Sequence, residues 1–189
     1  ELDDLCGKLI ANGVPGLALL TGDEARALEP NLSDEVVAAL HAPSAAICSP
    51  WEYCLALAET AVRNGAELHL NTQVIGLSPV DGGWLVTTDK GQMWARYVVN
   101  AAGVDCQQIH ELAAPHTFSI RPARGQYYLL DKSEGNRVGR VIFQCPNEKG
   151  KGVLVAPTVH GNLIVGPNSE PVEGEDTSTP AAGLAFVRD

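Results

Sequence analysis

Arg124, Gln126 and Tyr128 are the side chains of this sequence best equipped to hold a small anion. They lie at alternate positions in the run Ile120–Asp131, and alternate residues of a strand share one face. A guanidinium, an amide and a phenol therefore stand together, while Tyr127 and Leu129 point the other way. An arginine fork matches a carboxylate or phosphate through two parallel bonds, and Gly125 beside it admits a close neighbour. The bland counterpart is a face that is only the solvated side of a half-exposed sheet. That reading is favoured for Gln126, and the binding reading for Arg124.

A second candidate is the turn Ala101-Ala102-Gly103, which closes the run Arg96–Gly103. Val98 and Val99 read as a strand buried on both faces. The three small residues after them leave no side-chain bulk, so a ligand can approach the backbone. In open α/β sheets ligands gather at the carboxyl ends of strands. Tight packing of strand on helix is the competing explanation for the glycine. The third candidate is Gly166-Pro167-Asn168, at the exit of a hairpin that turns at His160-Gly161-Asn162; Gly166 and Pro167 are expected to line a cavity. His160 sits at the hairpin tip, where a histidine is more often a solvated turn residue than a base. His41 is expected near the same cavity.

These residues need elements to hold them. Leu2–Ala11 reads as a helix closed by Asn12-Gly13, and Thr21 with Glu24 forms a capping box for a second, short one. Ser49, Pro50 and Glu52 give the best start signal in the chain. Trp51, Cys54, Leu55, Ala58, Ala61 and Val62 then repeat with helical period up to Asn64-Gly65. Strands are expected over 66–70, 73–77, 84–88 and 93–100, with hairpin turns at Asp81-Gly82-Gly83 and Asp89-Lys90-Gly91. A helix follows over 105–112. Beyond Pro115, strands are expected over 118–120, 126–130, 140–144, 153–156 and 162–165, as one antiparallel sheet.

The 189 residues suffice for one domain, or one and a piece of another. A net charge of -10 argues against a nucleic-acid partner. No apolar run reaches the roughly 18 residues a membrane span needs. Cys6, Cys48, Cys54, Cys106 and Cys145 are scattered and odd in number, which reads as reduced thiols in a cytoplasmic protein rather than a disulfide frame or metal site. Serine-hydrolase elbows, zincin helices and Walker loops are absent from the sequence.

The string Val98-Val99-Asn100-Ala101-Ala102-Gly103 resembles a signature of FAD-dependent oxidoreductases of the D-amino-acid oxidase superfamily. Arg121-Pro122-Ala123-Arg124-Gly125-Gln126-Tyr127 is similar to the strand that opens their substrate sheet. Pro157–Pro167 looks like a segment of glycerol-3-phosphate dehydrogenase-like and L-2-hydroxyglutarate oxidase-like members. The resemblance implies an α+β (α/β) fold, with a partial FAD-binding sheet containing a β-meander and an antiparallel substrate-domain sheet. It implies that Ala101, Ala102 and Gly103 approach FAD through backbone atoms and that Val74 contacts it beside the adenine. Arg124, Tyr128, Gly166 and Pro167 would then meet the substrate, a small anionic hydroxy compound oxidised by hydride transfer. No catalytic base is identified.

On this reading residues 1–46 pack with the substrate domain, 47–114 belong to the FAD-binding domain, and 115–189 form the substrate sheet. No G-x-G-x-x-G follows a strand, so no helix N-terminus is at hand for the pyrophosphate. The chain is therefore expected to be the central section of a soluble or peripherally membrane-associated enzyme, inactive and binding FAD weakly or not at all when isolated. The competing expectation is a non-catalytic α+β interaction module descended from such an enzyme.

Overall fold

A computed structural model describes residues 2–145 and 152–188. Glu1, Asp189 and the stretch 146–151 fall outside the described residues. In chain order the elements are α1 (Leu2–Ala11), β1 (Ala18–Thr21), α2 (Gly22–Leu28), β2 (Ala38–His41), α3 (Pro50–Arg63), β3 (Val74–Val80), β4 (Gly83–Thr88) and β5 (Gly91–Ala95). There follow α4 (Cys106–Glu111), β6 (Ala123–Arg124), β7 (Tyr128–Leu130), β8 (Ile142–Phe143), β9 (Leu154–Pro157), β10 (Leu163–Gly166), β11 (Glu170–Pro171) and α5 (Ala181–Arg188). The mixture of helices and antiparallel sheets is the α+β class expected from the sequence. Two compact units emerge. One comprises Glu1–Tyr53, Arg124–Glu170 and Thr177–Asp189; the other comprises Cys54–Ala123 and Pro171–Asp176.

In the first unit, β1 and β2 pair antiparallel from Ala18↔His41 to Thr21↔Ala38. The sequence pattern missed this ribbon because Ala, Leu and His favour helices at least as well as strands, and pairing overrides such weak preferences. The capping box is as read: the Thr21 hydroxyl accepts the Glu24 N–H at 3.3 Å, and the Thr21 N–H donates to the Glu24 carboxylate at 2.8 Å. Four strands form the antiparallel sheet β7-β10-β9-β8. Its centre is the β9–β10 hairpin, with Leu163 opposite Pro157 and Ile164 opposite Ala156. The buried apolar residues of this unit are Ala156 and Leu163 of the sheet, Ala25 of α2 and Val187 of α5. A buried carboxylate ties the α2 end to the sheet: Glu29 accepts the Gly139 N–H at 3.0 Å and the Arg140 guanidinium at 2.9 Å. Helix α5 was also missed, for Ala181–Arg188 is too short to show a clear period.

The second unit is built on the meander β3-β4-β5. Its register runs from Val80↔Gly83 back to Val74↔Thr88, with a bulge between Val74 and Gly76. Leu77, Val86 and Thr88 are buried in it. Both predicted hairpin turns are present, with left-handed glycines at Gly82 and Gly91.

Two predicted strands, 66–70 and 118–120, are not formed, and the one expected over 93–100 ends at Ala95, so that 96–100 also lies outside every strand. A strand needs a neighbour to take its N–H and C=O groups, and among the described residues none pairs with these segments. Val98 and Val99 are accordingly not buried on both faces; they are 38% and 87% exposed. Helix α3 shows the same excess. Its start is half as predicted: Ser49 Oγ accepts the Glu52 N–H at 3.3 Å, but the Glu52 carboxylate makes no return bond that would complete the box and lies 3.9 Å from His160, and no residue of the apolar stripe is buried.

Candidate functional site

In the second unit, the residues after the meander return across it and leave a depression of about 170 Å³. Its lining combines Val74, Leu77 and Val86 from the sheet with Val98 to Ala102 and with Ile109 of α4. Three of the four predicted cofactor contacts, Val74, Ala101 and Ala102, thus lie around one apolar hollow although 27 residue numbers separate Val74 from Ala101. The fourth, Gly103, opens a 3₁₀ turn that leads into α4. Its φ of +60° is one that side chains other than glycine resist.

What holds this turn is Asn100, which the sequence reading passed over. Its Oδ1 accepts the Ala102 N–H at 3.3 Å and its Nδ2 donates to the Cys106 carbonyl at 2.7 Å. An asparagine two residues before a turn amide is the signature of an Asx turn, so the signal was present. Leu77 and Val86 of the meander and Ile109 of α4 were missed as well; Ile109 carries no signal beyond its place on a short helix.

In the first unit, alternation along Arg124–Tyr128 is as predicted. Arg124, Gln126 and Tyr128 turn inward, while Tyr127 and Leu129 are 45% and 68% exposed. The solvated reading of Gln126 is overturned, for that residue is 1% exposed and the largest fully buried side chain described. The inward face is closed over by the chain's own 166–170 segment and by α5, which the sequence pattern could not show.

The Arg124 side chain is 10% exposed and already engaged. Its guanidinium meets the Glu170 carboxylate at 3.0 Å and the Ser178 hydroxyl at 2.8 Å. Glu170 was not foreseen, since nothing in a sequence tells which carboxylate will face a given arginine. A buried cation needs such a partner. A substrate anion reaching Arg124 would compete with that carboxylate or add to it.

Tyr128 lies in β7 opposite Val165. Gly166 ends β10 beneath residue 126: a Cβ there would stand 2.7 Å from the Gln126 carbonyl, and its φ of +133° also calls for glycine. The Gly166–Pro167 peptide is cis. His160 is 58% exposed on the hairpin turn with Glu52 3.9 Å away, as befits a solvated residue. His41 stands in β2 opposite Ala18. Among the described residues no cluster of His, Cys, Asp or Glu could hold a metal, and all five cysteines are free thiols.

Known proteins share both the sequence and this architecture. A family model described as FAD dependent oxidoreductase matches residues 1–189. A glycerol 3-phosphate dehydrogenase of Caloramator mitchellensis is 44% identical over 179 residues, covering 94% of this chain and 37% of the relative. An L-2-hydroxyglutarate dehydrogenase of Escherichia coli strain K12 is 28% identical, covering 84% of this chain and 38% of the relative. The structure of dithionite-reduced L-alpha-glycerophosphate oxidase from Mycoplasma pneumoniae with FAD bound superposes with a TM-score of 0.90 at 28% identity. It covers 99% of this chain and 51% of that one. The chain therefore spans about half, or less, of the length of these relatives.

Proposed function

We propose, since the chain belongs to the family of FAD-dependent oxidoreductases, that the whole protein oxidises a small anionic hydroxy substrate, glycerol 3-phosphate ahead of a 2-hydroxy acid. FAD, when bound, supplies the acceptor for the hydride that leaves the hydroxyl-bearing carbon. The 44% identity with a glycerol 3-phosphate dehydrogenase supports the first choice, and the 28% identity with an L-2-hydroxyglutarate dehydrogenase keeps the second.

The residues present fit part of such a cofactor. Val74, Ala101 and Ala102 give an apolar hollow against which a flat ring can lie, and Gly103 presents its backbone without a side chain. That shared hollow is the observation that supports the reading most. The sequence contains no glycine-rich phosphate loop, so this chain would hold the cofactor along one side only.

Toward the substrate, Arg124 is the group proposed to balance the anionic end, with Tyr128, Gly166 and Pro167 shaping the space beside it. Glu170 and Ser178 fix the guanidinium plane, so its direction is set before a substrate arrives. No membrane-spanning helix exists among the described residues. The free thiols support a cytoplasmic setting.

Initial rates of dye reduction by the whole protein test the choice of substrate. Glycerol 3-phosphate should give the highest kcat/KM, ahead of L-2-hydroxyglutarate and glycine. Preference for glycine over both hydroxy compounds would refute it.

A further inference from the structure

Gln126 is a costly residue to bury, because an amide removed from water must find partners and a leucine would pack as well without them. Its surroundings show what the amide is for. The regular ladder between β7 and β10 ends at Val165↔Tyr128. Beyond it the two segments are joined through Asn168, itself 8% exposed. The Gln126 N–H donates to Asn168 Oδ1 at 2.8 Å, the Asn168 N–H donates to the Gln126 carbonyl at 3.4 Å, and Asn168 Nδ2 approaches Gln126 Oε1 at 3.5 Å. Gly166 and Pro167 are the two residues enclosed between the end of the ladder and this amide bracket.

The bracket has a backstop. Helix α5 passes so close that a Cβ on Gly183 would stand 1.7 Å from Gln126 Oε1 and 2.8 Å from its Nε2. The Gln126 amide is thereby confined between Gly183 and Asn168, and its Nε2 meets no acceptor among the described residues. An arrangement chosen for stability alone would not leave a buried donor without an acceptor.

We infer that Gln126, Asn168 and Gly183 are positioning residues, which fix the backbone of Gly166–Pro167 against the substrate. This inference rests on the proposed substrate role of Gly166 and Pro167. The side chains need not touch the substrate; they set where the exit of β10 lies. Losing the bracket should therefore weaken substrate binding while leaving the chemical step nearly intact.

The test is steady-state kinetics of the whole flavoprotein with glycerol 3-phosphate, using Asn168→Leu, Asn168→Asp and Gly183→Ala. Asn168→Asp keeps an oxygen for the Gln126 N–H and lets the amide turn its free Nε2 toward the new carboxylate. The expected result is a KM raised about tenfold by Asn168→Leu and by Gly183→Ala, with kcat changed less than about threefold and flavin content unchanged. Asn168→Asp should restore KM to within about threefold of the wild type. If Asn168→Leu does not fold, Gly183→Ala carries the same expectation with Asn168 intact. Variants that lose kcat or flavin while KM stays put would overturn the inference and leave these residues as packing. A wild type that does not turn over glycerol 3-phosphate fails differently: it refutes the functional reading, and the positioning role falls with it.

Discussion

Replacing Arg124 by alanine in the whole protein separates its two possible duties. A hydrogen bond from a charged group to an anionic substrate contributes about 1.5–3 kcal/mol, so its loss should raise KM about 10- to 150-fold. The stability cost should be much smaller than that of a fully buried pair. Glu170, 43% exposed, can rehydrate once its partner has gone. What remains is mostly the lost packing of the arginine stem, and a fall of about 1–2 kcal/mol is expected. Glu170→Gln supplies the opposite perturbation. It removes the Glu170 carboxylate from a guanidinium that is nine-tenths buried, so stability should fall further. Substrate anion would then face less competition, and KM should fall or hold. Steady-state kinetics and urea unfolding on the two variants read all four quantities. The reasoning is refuted if Arg124→Ala leaves KM within about twofold of the wild type, well under the tenfold step that 1.4 kcal/mol makes; Arg124 would then serve only as the partner of Glu170 and Ser178.

Glu29→Ala should destabilise the fold by about 2–4 kcal/mol, because it strands the Gly139 N–H in a site where the carboxylate is 7% exposed; urea unfolding measures it, and a change within error would remove the link from the core. Gly103→Ala should cost about 1 kcal/mol through its φ of +60° alone, since nothing lies within 4 Å of a Cβ there. In the whole protein that substitution should also weaken FAD retention, which a released-flavin assay detects. Acid should loosen the first turn of α2. Bonds from the Thr21 backbone N–H and hydroxyl hold the Glu24 carboxyl below its ordinary 4.5. A lowered carboxyl stabilises the fold above its ordinary value and loses that contribution as pH falls through the folded one. Amide protection at the start of α2, taken relative to the intrinsic exchange rate at each pH, should accordingly fall below pH 4.5, and protection that stays flat down to pH 3 would refute the cap's role.

Much of the site was legible because local chemistry specified it. The capping box at Thr21, the Ser49 cap at the start of α3 and both hairpin turns of the meander depend on neighbours a few residues apart, and each formed as read. Alternation gave the shared face of Arg124, Gln126 and Tyr128, but not what would cover it. Burial of Gln126 depends on Asn168 and Gly183, 42 and 57 positions away, and no periodicity carries that information. The pairing of Arg124 with Glu170 is hidden for the same reason. At Val98-Val99 the apolar run was read as a buried strand, yet a strand is a property of two segments, and no second one pairs with it among the described residues. The β1–β2 ribbon shows the converse: residues with weak strand preference pair because each supplies the other's edge.

The most direct test of the central claim is the visible absorption spectrum of the purified whole protein, recorded before and after anaerobic addition of glycerol 3-phosphate. An oxidised flavin band that bleaches on addition is the predicted result, since it requires both a bound flavin and a substrate oriented toward it. A preparation reconstituted with FAD that shows no flavin band, or a band that glycerol 3-phosphate and L-2-hydroxyglutarate both leave unchanged, would contradict the account.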